Sequence, residues 1–142
     1  MGFKEMAKRK YRKIKAVNCP AFDQERIAFN SKGFNHLFYK GNRSERDFKD
    51  IQTRVRLLER AVILLKKTTV YQEENLYKIK DKGRSKTIYF WAFEGVINDR
   101  RIKAVVRQIG RGKKHFWSVI PAWRPARPGK KIKNYRVNPA KY

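Results

Sequence analysis

The spacing of hydrophobic residues changes along the chain, and each change marks a different kind of element. Phe48, Ile51, Val55, Leu58, Val62 and Leu65 recur at intervals of three and four, the repeat that lines one face of a helix. Leu57, Ala61 and Leu64 widen the stripe, and Arg54, Arg56 and Arg60 are expected on the outer face. Burying six large side chains at roughly 1.5–3 kcal/mol each would make this helix the largest local contribution to the core. Ser44 and Asp47 precede it at the spacing of a capping box. Beyond Lys66 and Lys67 the pattern turns extended. A strand can begin over 68–72, and firmer strands follow at 75–80 and 87–96, joined by a turn at Asp81-Lys82-Gly83. Ile88, Phe90 and Ala92 point to one side of the last of these strands, and Tyr89, Trp91 and Phe93 to the other. A strand apolar on both faces belongs in the middle of a sheet. Two further runs, RIKAVVRQI and HFWSVIPAW, flank a turn with Gly110 and Gly112 and predict a β-hairpin over 100–124.

The first third of the chain is less regular. Residues 26–30 alternate like a short strand, and Ser31 can cap a helix over KGFNHLFYK that ends near Gly41, with Phe34, Leu37 and Phe38 on one face. The elements add up to an α+β domain over 21–124, its N-terminal helices packed on one face of an antiparallel sheet of about four strands. Residues 1–20 read as a basic arm, and 125–142 as an extended basic tail.

Charge narrows the function. The 142 residues include 37 Lys and Arg against 12 Asp and Glu, a formal net charge of +25. Self-repulsion on this scale opposes a compact state, so a polyanionic partner is expected. RNA or DNA fits better than a membrane, because the charge runs through the whole chain without an amphipathic anchor. Cys19 is the only cysteine, which excludes an intrachain disulfide and fits a reducing, cytoplasmic setting. One Cys and two His without ligand spacing argue against zinc, and neither a metal nor another cofactor is expected. No apolar run approaches the ~18 residues of a membrane span.

Candidate chemistry gathers on the hairpin. Arg107 and Ser118 interrupt its apolar runs, with Arg111, Lys113, Lys114 and His115 near the turn. His36 lies at the border of the apolar face of the early helix, with Lys40 and Arg43 nearby. The cations Lys10, Arg12, Lys40, Arg43, Arg111, Lys113 and Lys114 are candidates for phosphate contacts, and Trp117 and Trp123 for stacking on bases.

The helix containing NHLFYKG, the long amphipathic helix and the closing pattern KAVVRQIGRGKKHFWSVIPAW together resemble the nuclease superfamily of barnase, EndoU, the tRNA-cleaving colicins and the RelE toxins, especially its phage and mobile-element branches. The resemblance spans roughly 26–124. It implies a metal-independent ribonuclease, with site positions falling on His36 or Arg43, on Arg107 and on Ser118. The substrate would be RNA, such as tRNA or ribosomal RNA, and a toxin of this kind has an acidic antitoxin or immunity protein as partner. The reaction needs proton transfer, suited to His36 or His115, and a cation on the phosphorane, suited to Arg107, with Ser118 and Lys114 positioning the substrate. The alternative is a non-catalytic, basic nucleic-acid-binding module of a mobile element or RNA-associated factor. Pairing register discriminates between them: Val105 opposite Ser118 puts Arg107 and Ser118 on one face, as the nuclease reading requires.

Overall fold

The computed structural model describes residues 2–41 and 43–122; Trp123 and the expected basic tail lie outside the described residues. The chain folds as α1 (Phe3–Ile14), β1 (Ala16–Cys19), a 3₁₀ turn (Pro20–Phe22), β2 (Glu25–Ala28), α2 (Ser31–Phe38), α3 (Phe48–Lys67), β3 (Glu73–Asp81), β4 (Arg84–Ile97), β5 (Arg100–Ile109) and β6 (His115–Pro121). The architecture is α+β, with helices packed on the sheet. The sheet has six strands rather than about four, in the order β1-β2-β6-β5-β4-β3. It is mixed, because β2 meets β6 in parallel through the pair Ala28↔His115.

One additional strand, β1, and a helix come from the segment expected to be a basic arm, while β2 overlaps the short strand expected over 26–30. Ala7 and Tyr11, four residues apart, share one side of α1 and are buried. The Tyr11 hydroxyl donates to the Asn30 carbonyl at 2.7 Å. Lys4, Lys8, Arg9, Arg12 and Lys13 are exposed on the rest of the helix, so α1 is an amphipathic part of the fold, and residues 3–14 are helix where a basic arm was expected. Likewise β1 pairs with β2 from Ala16↔Ala28 to Cys19↔Glu25. A run of cations hid these elements because only three or four apolar residues are needed to bury one side of a short helix.

Helix α3 lies across the sheet as its spacing predicts, with Ile51, Val55, Leu57, Leu58, Ala61, Leu64 and Leu65 buried. Three details differ from the sequence pattern. Ser44 and Asp47 make no capping box: the helix starts at Phe48, the Asp47 side chain caps nothing, and the Ser44 carbonyl accepts from the Lys40 amide in a preceding turn. Phe48 is therefore outside the core, 56% exposed, and meets Phe3 of α1 edge-on at 5.3 Å. Arg54 faces inward and not outward. It sits three residues after Ile51 and four before Leu58, on the buried stripe itself.

The two faces of β4 divide as the alternation predicts. Trp91 and Phe93, with Tyr89 at the margin, pack under the helices in the larger core. Ile88, Phe90 and Ala92 join Val105 on the opposite face, with Tyr77, Trp117 and Ile120 beside them. Helix α2 approaches β6 so closely that a Cβ at Gly33 would collide with the Phe116 carbonyl oxygen and lie 2.7 Å from the Tyr11 hydroxyl. Only glycine permits that approach.

Leu58 is fully buried and Arg56 is exposed. Leu58→Ala should therefore cost about 2–5 kcal/mol, whereas Arg56→Ala should leave stability nearly unchanged. Equal midpoints in urea or thermal melts of the two variants would contradict this helix orientation.

Candidate active site

The site forms where the β5–β6 hairpin meets α2. The pairing Val105↔Ser118 is present, but one step further the register shifts: Val106 faces Phe116 and Arg107 faces His115. Trp117 is the extra residue of this β-bulge. A bulge re-aims a side chain locally, and here it directs the indole toward α2. Val105 and Arg107 lie two apart and share a face, so Arg107, His115, Trp117 and Ser118 all belong to the region opposite the main core.

Trp117 is enclosed on both flat sides. The His36 ring stacks on it at 3.9 Å, inclined by 15°, and the Arg107 guanidinium lies 3.5 Å from its centroid. Two groups at those distances cannot share one face, so histidine, indole and guanidinium form a three-layer stack. The indole face is consequently not open to a base, and Trp117 reaches the neighbouring cleft by its edge. The Trp117 Nε1 is buried and has no hydrogen-bond partner among the described residues.

Arg107 is held on a second side by His115. Its Nε donates to His115 Nε2 at 2.9 Å. Arginine can only donate, so that imidazole nitrogen carries a lone pair, and the ring proton sits on Nδ1, 3.4 Å from the Lys113 carbonyl. Burial, followed by the charge of Arg107, pushes the His115 pKa down to about 4. Burial also lowers that of Arg107 to about 10, while nearby Tyr77 acts in the opposite direction. His115 is thus a neutral acceptor that fixes the guanidinium.

On the other side of Trp117 opens a cleft of about 500 Å³ lined by Lys32, Asn35, His36, Tyr39, Lys40, Gly41, Arg43 and Trp117. Three of these residues are cationic and none is acidic. Lys32 and His36, four apart, lie on one side of α2, and Lys40 follows beyond its end, where Tyr39 is extended. Lys40 and Arg43 stand on a tight turn closed by Arg43 N–H donating to the Lys40 carbonyl and Lys40 N–H donating to that of Ser44.

Beneath the cleft, a polar chain ties the site to α3. Arg46 donates from Nε to the His36 carbonyl at 2.9 Å, and its Nη2 lies 3.1 Å from His36 Nε2. Asp50 pairs with both Arg46 and Arg54, at 3.6 and 3.1 Å. Arg54 Nη1 donates to Ser118 Oγ at 2.6 Å. Desolvation lowers the pKa of Arg54 and brings that of Arg46 to about 10. Ser118 has no exposed surface.

Of the residues singled out in the sequence, His36, Lys40, Arg43, Arg107, His115 and Trp117 come together here, and Ser118 joins through Arg54. The others lie elsewhere. Lys10 pairs with Glu59 of α3 at 3.3 Å, and Arg12 is exposed on α1. Lys114 binds both carboxylate oxygens of Glu25 at 2.9 Å and covers Phe22 and Trp91. Arg111 and Lys113 are exposed at the hairpin turn, and Trp123 is outside the described residues. Lys32, Arg46, Asp50 and Arg54 escaped the sequence reading. The four-residue spacing of Lys32 and His36 was the available signal for the first, and the stripe position of Arg54 for the last. Among the described residues, no group of three His, Cys, Asp or Glu is arranged to hold a metal ion, and no helix is long and apolar enough to cross a membrane.

The fold incorporates His115 as a neutral ring, so protonation favours the unfolded chain, where the ring takes up its proton near the ordinary pKa of about 6.5. Its contribution to stability is complete above that value and is lost as pH falls through the interval to about 4. The melting temperature should accordingly drop between pH 7 and 4.5, and drop less in His115→Gln, which keeps an acceptor for Arg107. Parallel melting curves against pH for the two proteins would refute the neutral, buried assignment.

Scanned against protein-family models the chain has no match, and searches of curated proteins and of solved structures find none either.

Proposed function

We propose that the chain binds RNA and cuts it as a metal-independent endoribonuclease, with the reacting phosphodiester seated at the edge of Trp117 between the cleft and Arg107. One observation carries this reading. Arg107, partly buried and fixed by two neutral rings, pairs with no carboxylate among the described residues, and neither do Lys32, Lys40 and Arg43 across the indole. A desolvated cation without a counter-ion is costly. An entering phosphodiester would supply the missing negative charge.

The chemistry follows from where those groups stand. The ribose 2′-oxygen attacks phosphorus and loses its proton to a base. The bond from phosphorus to the 5′-oxygen breaks, and that oxygen takes up a proton. The products are a 2′,3′-cyclic phosphate and a 5′-hydroxyl end, with no water consumed. Attacking and leaving oxygens lie in line across phosphorus, and fixed cations stabilise the charge that develops on the equatorial oxygens. His36 is the proton-transfer group of this scheme, and Arg107, Lys40 and Arg43 are the cations. His115 is a positioning residue, because it holds Arg107 and, unlike His36, does not line the cleft. Ser118 is also a positioning residue, acting through Arg54. An acidic antitoxin or immunity protein would compete with RNA for the same cations.

A second reading, binding without cleavage, is favoured by one fact: His36 is only 6% exposed and faces Arg46. Incubation with tRNA and total RNA in EDTA, followed by mapping of the ends, separates the two. The wild-type protein should leave cyclic phosphate and 5′-hydroxyl termini. Arg107→Ala should slow cleavage about 10²–10³-fold, the usual cost of one transition-state donor, while RNA affinity stays within a few-fold and Arg107→Lys recovers part of the rate. Intact RNA after prolonged incubation with folded wild-type protein would leave the binding module as the function.

A further inference from the structure

A second cationic cavity lies at the other end of the strand that carries Trp117. It has a volume of about 630 Å³ and is lined by Thr53, Arg56 and Leu57 of α3, by Asp99, Arg100 and Arg101 at the β4–β5 turn, and by Pro121 and Ala122 at the end of β6. Arg101 is engaged by Glu94 at 3.6 Å. Arg56 and Arg100 are exposed and have no ion pair among the described residues. Thr53 and Arg56, three apart on α3, present their side chains on one side of the helix, facing the arginines of the turn.

Strand β6 joins the two cavities. Trp117 and Pro121 are four residues apart on β6, about 13 Å at the rise of a strand. The acidic Asp50 is shared by Arg46 and Arg54, and Asp99 is the one acidic residue in the lining of the second cavity. Cationic cavities at both ends of a rigid spacer suit a ligand that presents anions at regular intervals.

We propose that this cavity is a second phosphodiester site, which holds the same RNA strand along β6 several nucleotides away from the Trp117 cleft. The proposal rests on the reading that RNA occupies that cleft. A stacked strand advances about 3.4 Å per nucleotide, so about four nucleotides reach from Trp117 to Arg56 and Arg100. A dinucleotide fills the first site only, whereas an octanucleotide spans both. The second site therefore acts on affinity for long strands and leaves the chemistry at the first site alone.

The test uses oligonucleotides with 2′-O-methyl groups, which bind but lack the attacking hydroxyl, and follows fluorescence anisotropy across a salt series. For single strands the log–log slope of affinity against salt changes by about 0.7 per phosphate neutralised. The double variant Arg56→Ala with Arg100→Ala should lower the octanucleotide slope by about 1.4, two phosphates at that value, and leave the dinucleotide dissociation constant unchanged. Arg56→Lys with Arg100→Lys should keep the wild-type slope. An octanucleotide slope unaltered in the alanine double variant, with an unchanged melting temperature, would overturn the proposal. Because no cleavage is measured, the outcome is independent of the nuclease reading: normal length-dependent binding beside absent cleavage of unmodified RNA sinks that reading and supports this site.

Discussion

The contact between Gly33 and the backbone of β6 governs the site. Without a side chain at that position, α2 settles against the Phe116 carbonyl, and residue 36, one turn further along the same helix face, is brought onto Trp117. A Cβ would hold the helix off the strand and separate His36 from the indole. The bulge at Trp117 is the counterpart on the strand, since it turns the ring toward the helix while Arg107 stays on its far side. Both devices are local departures from regular structure. Each is stabilised by the packed core around it, in which Phe29 stacks on Phe116 at 4.8 Å and Tyr11 lies beside both.

Around this contact the charges are sorted. Arg46 and Arg54 are buried and share Asp50, Lys103 is joined to Glu73 and Glu94, and Lys114 to Glu25. These pairs build the scaffold; breaking one by removing a single partner would leave a buried charge uncompensated. Arg107, Lys32, Lys40 and Arg43 have no such partner among the described residues. Paired cations thus hold the frame, and unpaired ones face the space that a phosphate would enter.

Much of the fold could be read from spacing. The stripe of α3, the two-sided β4 and the hairpin of β5 and β6 are long, periodic patterns, and periodicity survives tertiary context well. The site was legible in part: His36, Arg107 and His115 stood out as chemically capable residues, and they do meet. What brings them together was not legible. A bulge leaves no mark in composition, and the partner of a buried arginine lies 64 residues away in sequence. The N-terminal helix was hidden because its cations dominate the pattern and its buried side needs only Ala7 and Tyr11. Arg54 was assigned outward because charged residues usually are exposed, although its position on the stripe pointed inward.

The claim that an RNA phosphate enters beside Trp117, in contact with both the cleft and Arg107, can be observed directly. Nuclear magnetic resonance of the Arg107 Nε–H, the Trp117 Nε1–H and the two histidine rings would be followed during titration with a 2′-O-methyl dinucleotide. All four sets of signals should shift together and saturate at one stoichiometric equivalent. Shifts confined to the exposed cations of α1 and the hairpin turn, with these four unmoved at saturation, would contradict the account.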